Sequence, residues 1–274
     1  MFTRRNPDAY RDEAFRAEAA QAYADLTEFL AEGKTSDNRY KATKDVAPRT
    51  PWQDPRRGYL RIVDSVGKVE YLFYPKPHMH SSRDEKGSNS KSDETRGEFT
   101  PDWTGFQDSV RFFGVQQELP GYRGDFAYMG TLEALAATAE FLRKRESRAV
   151  FMHEYTHRLD SMRVDKGPWR LAAQKTRLSD RNYWRDPLEF NARYQQAVAD
   201  IDAVFQRLPS KTIQKRLESF DAFMTYVKTA YAREDIAEHL GRYDSPLYRH
   251  AIKRLHEDYR RLRQQYARYL KRSP

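Results

Sequence analysis

The residues best equipped for chemistry stand together at His153, Glu154, Tyr155, Thr156 and His157, an H-E-x-x-H run. On a helix, positions four apart lie one above the other, so both imidazoles face the same way and can bind one Zn²⁺. Glu154 stands beside them and can take a proton from the water that such a metal activates. The preceding Ala149-Val150-Phe151-Met152 is apolar, as in a helix that threads a core and carries its ligands into a cleft. The competing reading is two half-exposed histidines on an ordinary amphipathic helix. With no cysteine in 274 residues, a disulfide scaffold, a thiolate zinc finger and a Cys nucleophile are all excluded, so any metal must use His and carboxylate.

A catalytic zinc site needs a third protein ligand and an open fourth position. No third histidine follows at metzincin spacing: Asp160 stands where that pattern has Gly, and Arg163 where it has His. The third ligand is therefore expected to be a later carboxylate. Glu189 is the best placed, 32 residues after His157, within Tyr183-Trp184-Arg185-Asp186-Pro187-Leu188-Glu189-Phe190-Asn191-Ala192-Arg193. A second role competes for it, because Asp186 as N-cap, Pro187 at the first helical position and Glu189 at the third make a capped helix start. The apolar face of Leu188, Phe190, Tyr194 and Val198, which Glu189 flanks, favours the ligand role.

Three further candidates carry alternatives of their own. Asp160, on the ligand face of the first helix, either accepts an imidazole N–H, the support that metal-binding histidines usually have, or pairs with Arg163 or Arg148. Tyr183 either donates a hydrogen bond to a developing oxyanion or is one of eighteen tyrosines filling the core. His78 and His80 are either a two-ligand second metal site or part of a solvated loop.

The two segments together resemble the zincin metallopeptidases of gluzincin type, with H-E-x-x-H on one helix and a Glu on the next. Val150 to Asp160 is similar to their active-site helix, including the Thr before the second His that thermolysin-like enzymes share. Tyr183 to Arg193 is similar to the second-ligand helix of small zincin-like proteins of phages and mobile elements. The resemblance implies a zinc-dependent peptidase with His153, His157 and Glu189 on the metal and Glu154 as the general base. It is confined to residues 148–195, and its longer His–Glu spacing departs from thermolysin.

The elements that must position these residues are legible from periodicity. Residues 7–33 read as a helix, with Phe15, Ala19, Tyr23, Leu26 and Leu30 at helical spacing and Gly33 as its stop. Residues 34–57 read as polar loop. Strands are expected at 59–63 and 69–74 around a turn with Gly67, and at 111–115 and 125–129. Residues 81–100, almost without apolar side chains, read as a long mobile loop. Helices follow at about 131–144, 148–163, 187–207, 211–233 and 246–271. The fold class expected is α+β, a small N-terminal antiparallel or mixed sheet followed by a helical half. Residues 1–245 would form one zincin-like domain, with 246–274 a basic helix packed on it.

The charge balance points to that last helix. Of a net +9, seven charges lie between Arg249 and Arg272, where nine basic residues face only Glu257 and Asp258. Its apolar residues Tyr248, Ile252, Leu255, Tyr259, Leu262, Tyr266 and Leu270 make one stripe. The helix thus reads as packing on the body with weak polyanion attraction, or as a docking surface for nucleic acid, an acidic protein or a coiled-coil partner. No run is apolar enough to span a membrane, and the N-terminus is not a secretory signal. The setting expected is cytoplasmic, or packaged in and delivered by a phage-like particle. Two functions stand against each other: a zinc peptidase acting on protein or peptide, and a structural or nucleic-acid-associated phage or mobile-element protein built on a zincin-like scaffold.

Overall fold

A computed structural model describes residues 13–45, 58–75, 78–79, 94–95, 97–100, 108–115, 126, 129–163, 187–230 and 245–270. The fold is α+β: a helix, a small mixed sheet, then a helical remainder. The chain divides into two compact units, one of residues 17–166 and the other of residues 1–16 with 167–274.

The first unit is built on a sheet. After α1 (Glu13–Glu32) come β1 (Tyr40–Asp45), β2 (Tyr59–Asp64), β3 (Val69–Phe73), β4 (His78–Met79), β5 (Glu94–Thr95), β6 (Gly97–Thr100) and β7 (Asp108–Phe112). Five of them form one sheet in the order β1-β2-β3-β7-β6, with β3 and β7 parallel and the other pairs antiparallel; β4 and β5 pair separately. β2 and β3 form where β-branched and aromatic residues concentrate, the side chains that suit a pleated, buried surface. Asp64 shapes the turn between them, its Oδ1 accepting the N–H groups of Val66 at 3.0 Å and Gly67 at 2.7 Å. A Cβ on Gly67 would lie 2.6 Å from Asp64 Oδ2, so any other residue there would have to push that carboxylate aside.

Strand alternation gives the sheet two different faces. One carries Ile62, Tyr71, Phe73, Val110 and Phe112 in register, all fully buried. The other carries a polar ladder within its apolar surface: Glu70 accepts from Arg61 Nε at 2.8 Å and from Ser109 Oγ at 2.6 Å. Helices α2 (Thr131–Leu142) and α3 (Arg145–Arg163) complete this unit.

Several elements depart from the periodicity reading. β1 lies in the stretch read as loop; its Lys41, Lys44 and Asp45 obscure an alternation in which Tyr40 and Ala42 are buried, and pairing with β2 makes it a strand. β6 lies inside the stretch 81–100, where Gly97 and two polar residues leave only Phe99 as an apolar cue, and pairing with β7 supplies the rest. β7 starts three residues before 111, because Asp108 and Ser109 pair with β3 despite their polarity. Of 125–129, Phe126 and Met129 are described and neither is in a strand; the remaining three lie outside the described residues.

The second unit is helical. α4 (Pro187–Arg207) covers the range that its periodicity indicates. The single helix expected at 211–233 is two, α5 (Ser210–Arg216) and α6 (Phe220–Ala230). Ser219 Oγ accepts the N–H of Ala222 at 3.1 Å, an N-terminal cap that starts a new helix where apolar spacing alone reads as continuous. α7 (Ser245–Gln265) and α8 (Ala267–Leu270) follow. Leu255, Tyr259, Leu262 and Tyr266 enter one core with Tyr194, Val198, Phe205, Leu217 and Phe223, so the apolar stripe of the basic tail is interior. The buried Asp258 accepts from Tyr194 Oη at 2.5 Å and pairs with Arg16 at 3.1 Å and with Arg261. Burial and the adjacent Asp258 carboxylate push the Tyr194 phenol well above its usual range. Among the described residues no helix is long and apolar enough to cross a membrane.

Candidate metal centre

Helix α3 is buried on every side from Phe151 to Ser161, although seven of those eleven residues are polar or charged. Polar groups removed from water must find partners, and the way these do so fixes the helix. Phe151 is its anchor. Its ring stacks on Phe112 at 5.9 Å, on Tyr71 at 5.9 Å and on Tyr155 at 5.4 Å, and meets the edge of Tyr23 at 5.3 Å. Phe151 and Tyr155 face the sheet. His153 and His157 stand two residues on from each, roughly 200° around the helix, and so point away from it.

Arg158 locks the turn that carries His157. Its Nη1 donates to Tyr155 Oη at 2.8 Å, its Nη2 donates to the Gly67 carbonyl, and its Nε faces Asp108 Oδ2 at 3.5 Å. One buried guanidinium thereby ties α3 to the β2–β3 turn and to the start of β7. Thr156 and Ser161 satisfy themselves locally, donating to the carbonyls of Met152 at 2.6 Å and Arg158 at 2.7 Å.

The two imidazoles converge. His153 Nε2 and His157 Nε2 are 3.1 Å apart, with the ring planes at 86°. Two nitrogens each about 2.0–2.1 Å from a tetrahedral ion stand roughly 3.3–3.4 Å apart, a little more than this separation, which is also that of a hydrogen bond. One ligand atom from each of His153, His157 and Glu189, the last in the first turn of α4, lies within 4.8 Å of the others. This group could hold a metal ion. Two nitrogens and a carboxylate oxygen suit several divalent first-row metals.

Glu154 is buried and lies against the sheet rather than in open solvent. A Cβ added to Gly97 would fall 2.8 Å from Glu154 Oε1 and Cγ and 2.5 Å from Val150 Cγ1. Glycine at the start of β6 is what lets that backbone reach the carboxylate. β6 is also the terminal strand of the sheet, whereas β7 is interior between β3 and β6.

Of the other candidates, Asp160 is buried on α3 at 3% exposure. Tyr183, Asp186 and His80 lie outside the described residues, as does the side chain of His78 in β4. Sequence reasoning missed Arg158, Asp108 and Gly97. Only Gly97 left a trace, an isolated glycine before Phe99 in an otherwise polar stretch. Compared with protein-family models, curated proteins and solved structures, the chain finds no match, so the reading of this centre rests on its own geometry.

Proposed function

We propose that this chain is a zinc-dependent hydrolase of peptide bonds, with His153, His157 and Glu189 as metal ligands and Glu154 as general base. The observation that carries the proposal is the convergence of the three donors within 4.8 Å, with a buried carboxylate next to the first. A zinc ion held there supplies a Lewis acid and lowers the pKa of bound water. Glu154 accepts the proton of the attacking water and returns it to the leaving amine. Its burial keeps that proton from exchanging freely with solvent. In the same reading Asp160 orients an imidazole, and Tyr183 donates to the developing oxyanion. A protein or peptide is the substrate class that fits best, because a terminal strand can take an extended chain by main-chain hydrogen bonds, and β6 brings such a chain to Glu154 through Gly97.

The decisive experiment combines metal analysis with two variants. The purified chain should carry close to one zinc per molecule. Glu154→Gln should keep the metal and the melting temperature while cleavage of a denatured-protein substrate falls about 10²–10⁴-fold, the usual worth of a general base. Glu189→Ala should lose zinc affinity far beyond the roughly 0.5–2 kcal/mol of stability that a lost helix cap would cost. Undiminished cleavage by Glu154→Gln removes that residue as the base. A Glu189→Ala chain that binds zinc as tightly as the wild type removes the third ligand.

A further inference from the structure

Helix α7 has a second face. Its inward side carries Leu255, Tyr259 and Leu262 into the core of the helical unit. On the opposite side Arg249, Lys253, His256, Arg260 and Arg263 are all exposed, at steps of four, three, four and three residues. At 3.6 residues per turn the five fall within an arc of roughly 80°, and at 1.5 Å per residue they extend over about 21 Å. They form one straight row.

The two carboxylates of α7 do not dilute this row. Asp258 is buried on the far side with Tyr194, Arg16 and Arg261, and Glu257 is half-buried at the margin. Among the described residues none of Arg249, Lys253 and Arg260 is held in an ion pair. Arg263 makes a 3.4 Å contact to Tyr259 Oη, which leaves its charge uncompensated. Packing of the apolar stripe therefore also orders the basic residues into an outward array.

We propose that this face of α7 binds the phosphate backbone of nucleic acid without regard to sequence. A row of cations at near-constant spacing complements a polymer with a regular run of anionic phosphates. Three of the four permanently charged members of the row are arginine, whose planar fork suits phosphate oxygens. Insertion into a lipid surface would need the apolar face of the helix, which the core already occupies. The proposal does not rest on the peptidase reading, since no residue of the metal group takes part.

The test titrates the full chain against a labelled random-sequence duplex DNA by fluorescence anisotropy, at about 50 mM and about 200 mM salt. The wild type should bind, with log K falling against log salt at a slope of about −3 to −4, as four released counterions require. The quadruple variant R249Q/K253Q/R260Q/R263Q should bind at least about tenfold more weakly at the lower salt, with the slope near zero. Its melting temperature should not change, because all four side chains are exposed. The charge-matched control K41Q/K211Q/K215Q/K228Q, also at exposed positions, should stay close to wild type. Equal loss in the two variants would overturn the proposal in favour of net charge. So would a wild type that ignores the duplex at low salt, or one that binds phosphatidylserine vesicles and not DNA.

Discussion

The sheet unit and the helical unit solve the same problem, burying charge beside a core, in different ways. In residues 17–166 single arginines tie separate elements together at points. Arg39 holds Asp64 through two nitrogens at 3.1 and 2.9 Å, and Arg158 joins Gly67, Tyr155 and Asp108. In the helical unit Tyr194, Asp202, Asp258 and Arg261 meet along the facing sides of α4 and α7, and Arg254 lies 3.8 Å above the Tyr194 ring. The first arrangement is a set of staples and the second a seam. Staples suit a unit that must hold one helix, α3, at a fixed depth and rotation against a sheet. A seam suits helices that need only meet along their stripes.

The largest effect that would sharpen this contrast is loss of the seam. Removing residues 245–274 takes Leu255, Tyr259 and Leu262 out of the core, each worth about 1.5–3 kcal/mol when fully buried. Their sum is comparable to the roughly 5–15 kcal/mol that holds a whole domain. Hydrogen exchange should show protection lost in α4 and α6 but retained in β2 and β3. Protection lost equally in both would mean that the two units do not differ in this way.

Next comes the anchor. Phe151→Ala removes a fully buried ring with four aromatic neighbours within 6 Å, and should cost about 4 kcal/mol by urea unfolding. Phe223→Ala in the helical unit, whose nearest ring lies at 5.7 Å and whose others lie beyond 6 Å, should cost about 3 kcal/mol. The reverse order would break the comparison.

Arg158→Leu tests the staple itself. It removes the donor to the Gly67 carbonyl and the cation facing Asp108, and should cost about 3 kcal/mol, the lower end for breaking a buried pair. Because His157 is its neighbour on the same turn, zinc retention in dialysis should also fall. Unchanged metal content alongside the lost stability would make Arg158 a stabiliser of the unit with no part in positioning the ligand.

The smallest change is Gly97→Ala. The added methyl must displace Val150 or Glu154 by a few tenths of an ångström or more, an overpacking that costs about 1–3 kcal/mol. If Glu154 is what moves, cleavage should drop by more than stability, with zinc still bound. Wild-type turnover in this variant would show that β6 has no influence on the base.

How much of this was legible beforehand follows from the range of each interaction. His153 and His157 converge because four residues make one helical turn, a local fact that the spacing carries unaided. The range of α4 and the interior stripe of α7 are local in the same sense, since period alone marks a face. The excess of positive charge at the end of the chain needs only counting.

Tertiary structure decided the rest. β1 and β6 are strands because β2 and β7 accept them, and their own residues, Lys41 and Lys44 in one and Gly97 in the other, give little sign of it. Glu189 as helix cap or as metal donor could not be separated by spacing, because the 32 residues between it and His157 do not specify where a chain returns. Arg158 reads as an ordinary surface arginine until Gly67, 91 residues earlier, is found under its guanidinium. Side-chain periodicity is written in neighbouring residues, whereas hydrogen-bond partners and sheet order depend on contacts between segments far apart in the chain.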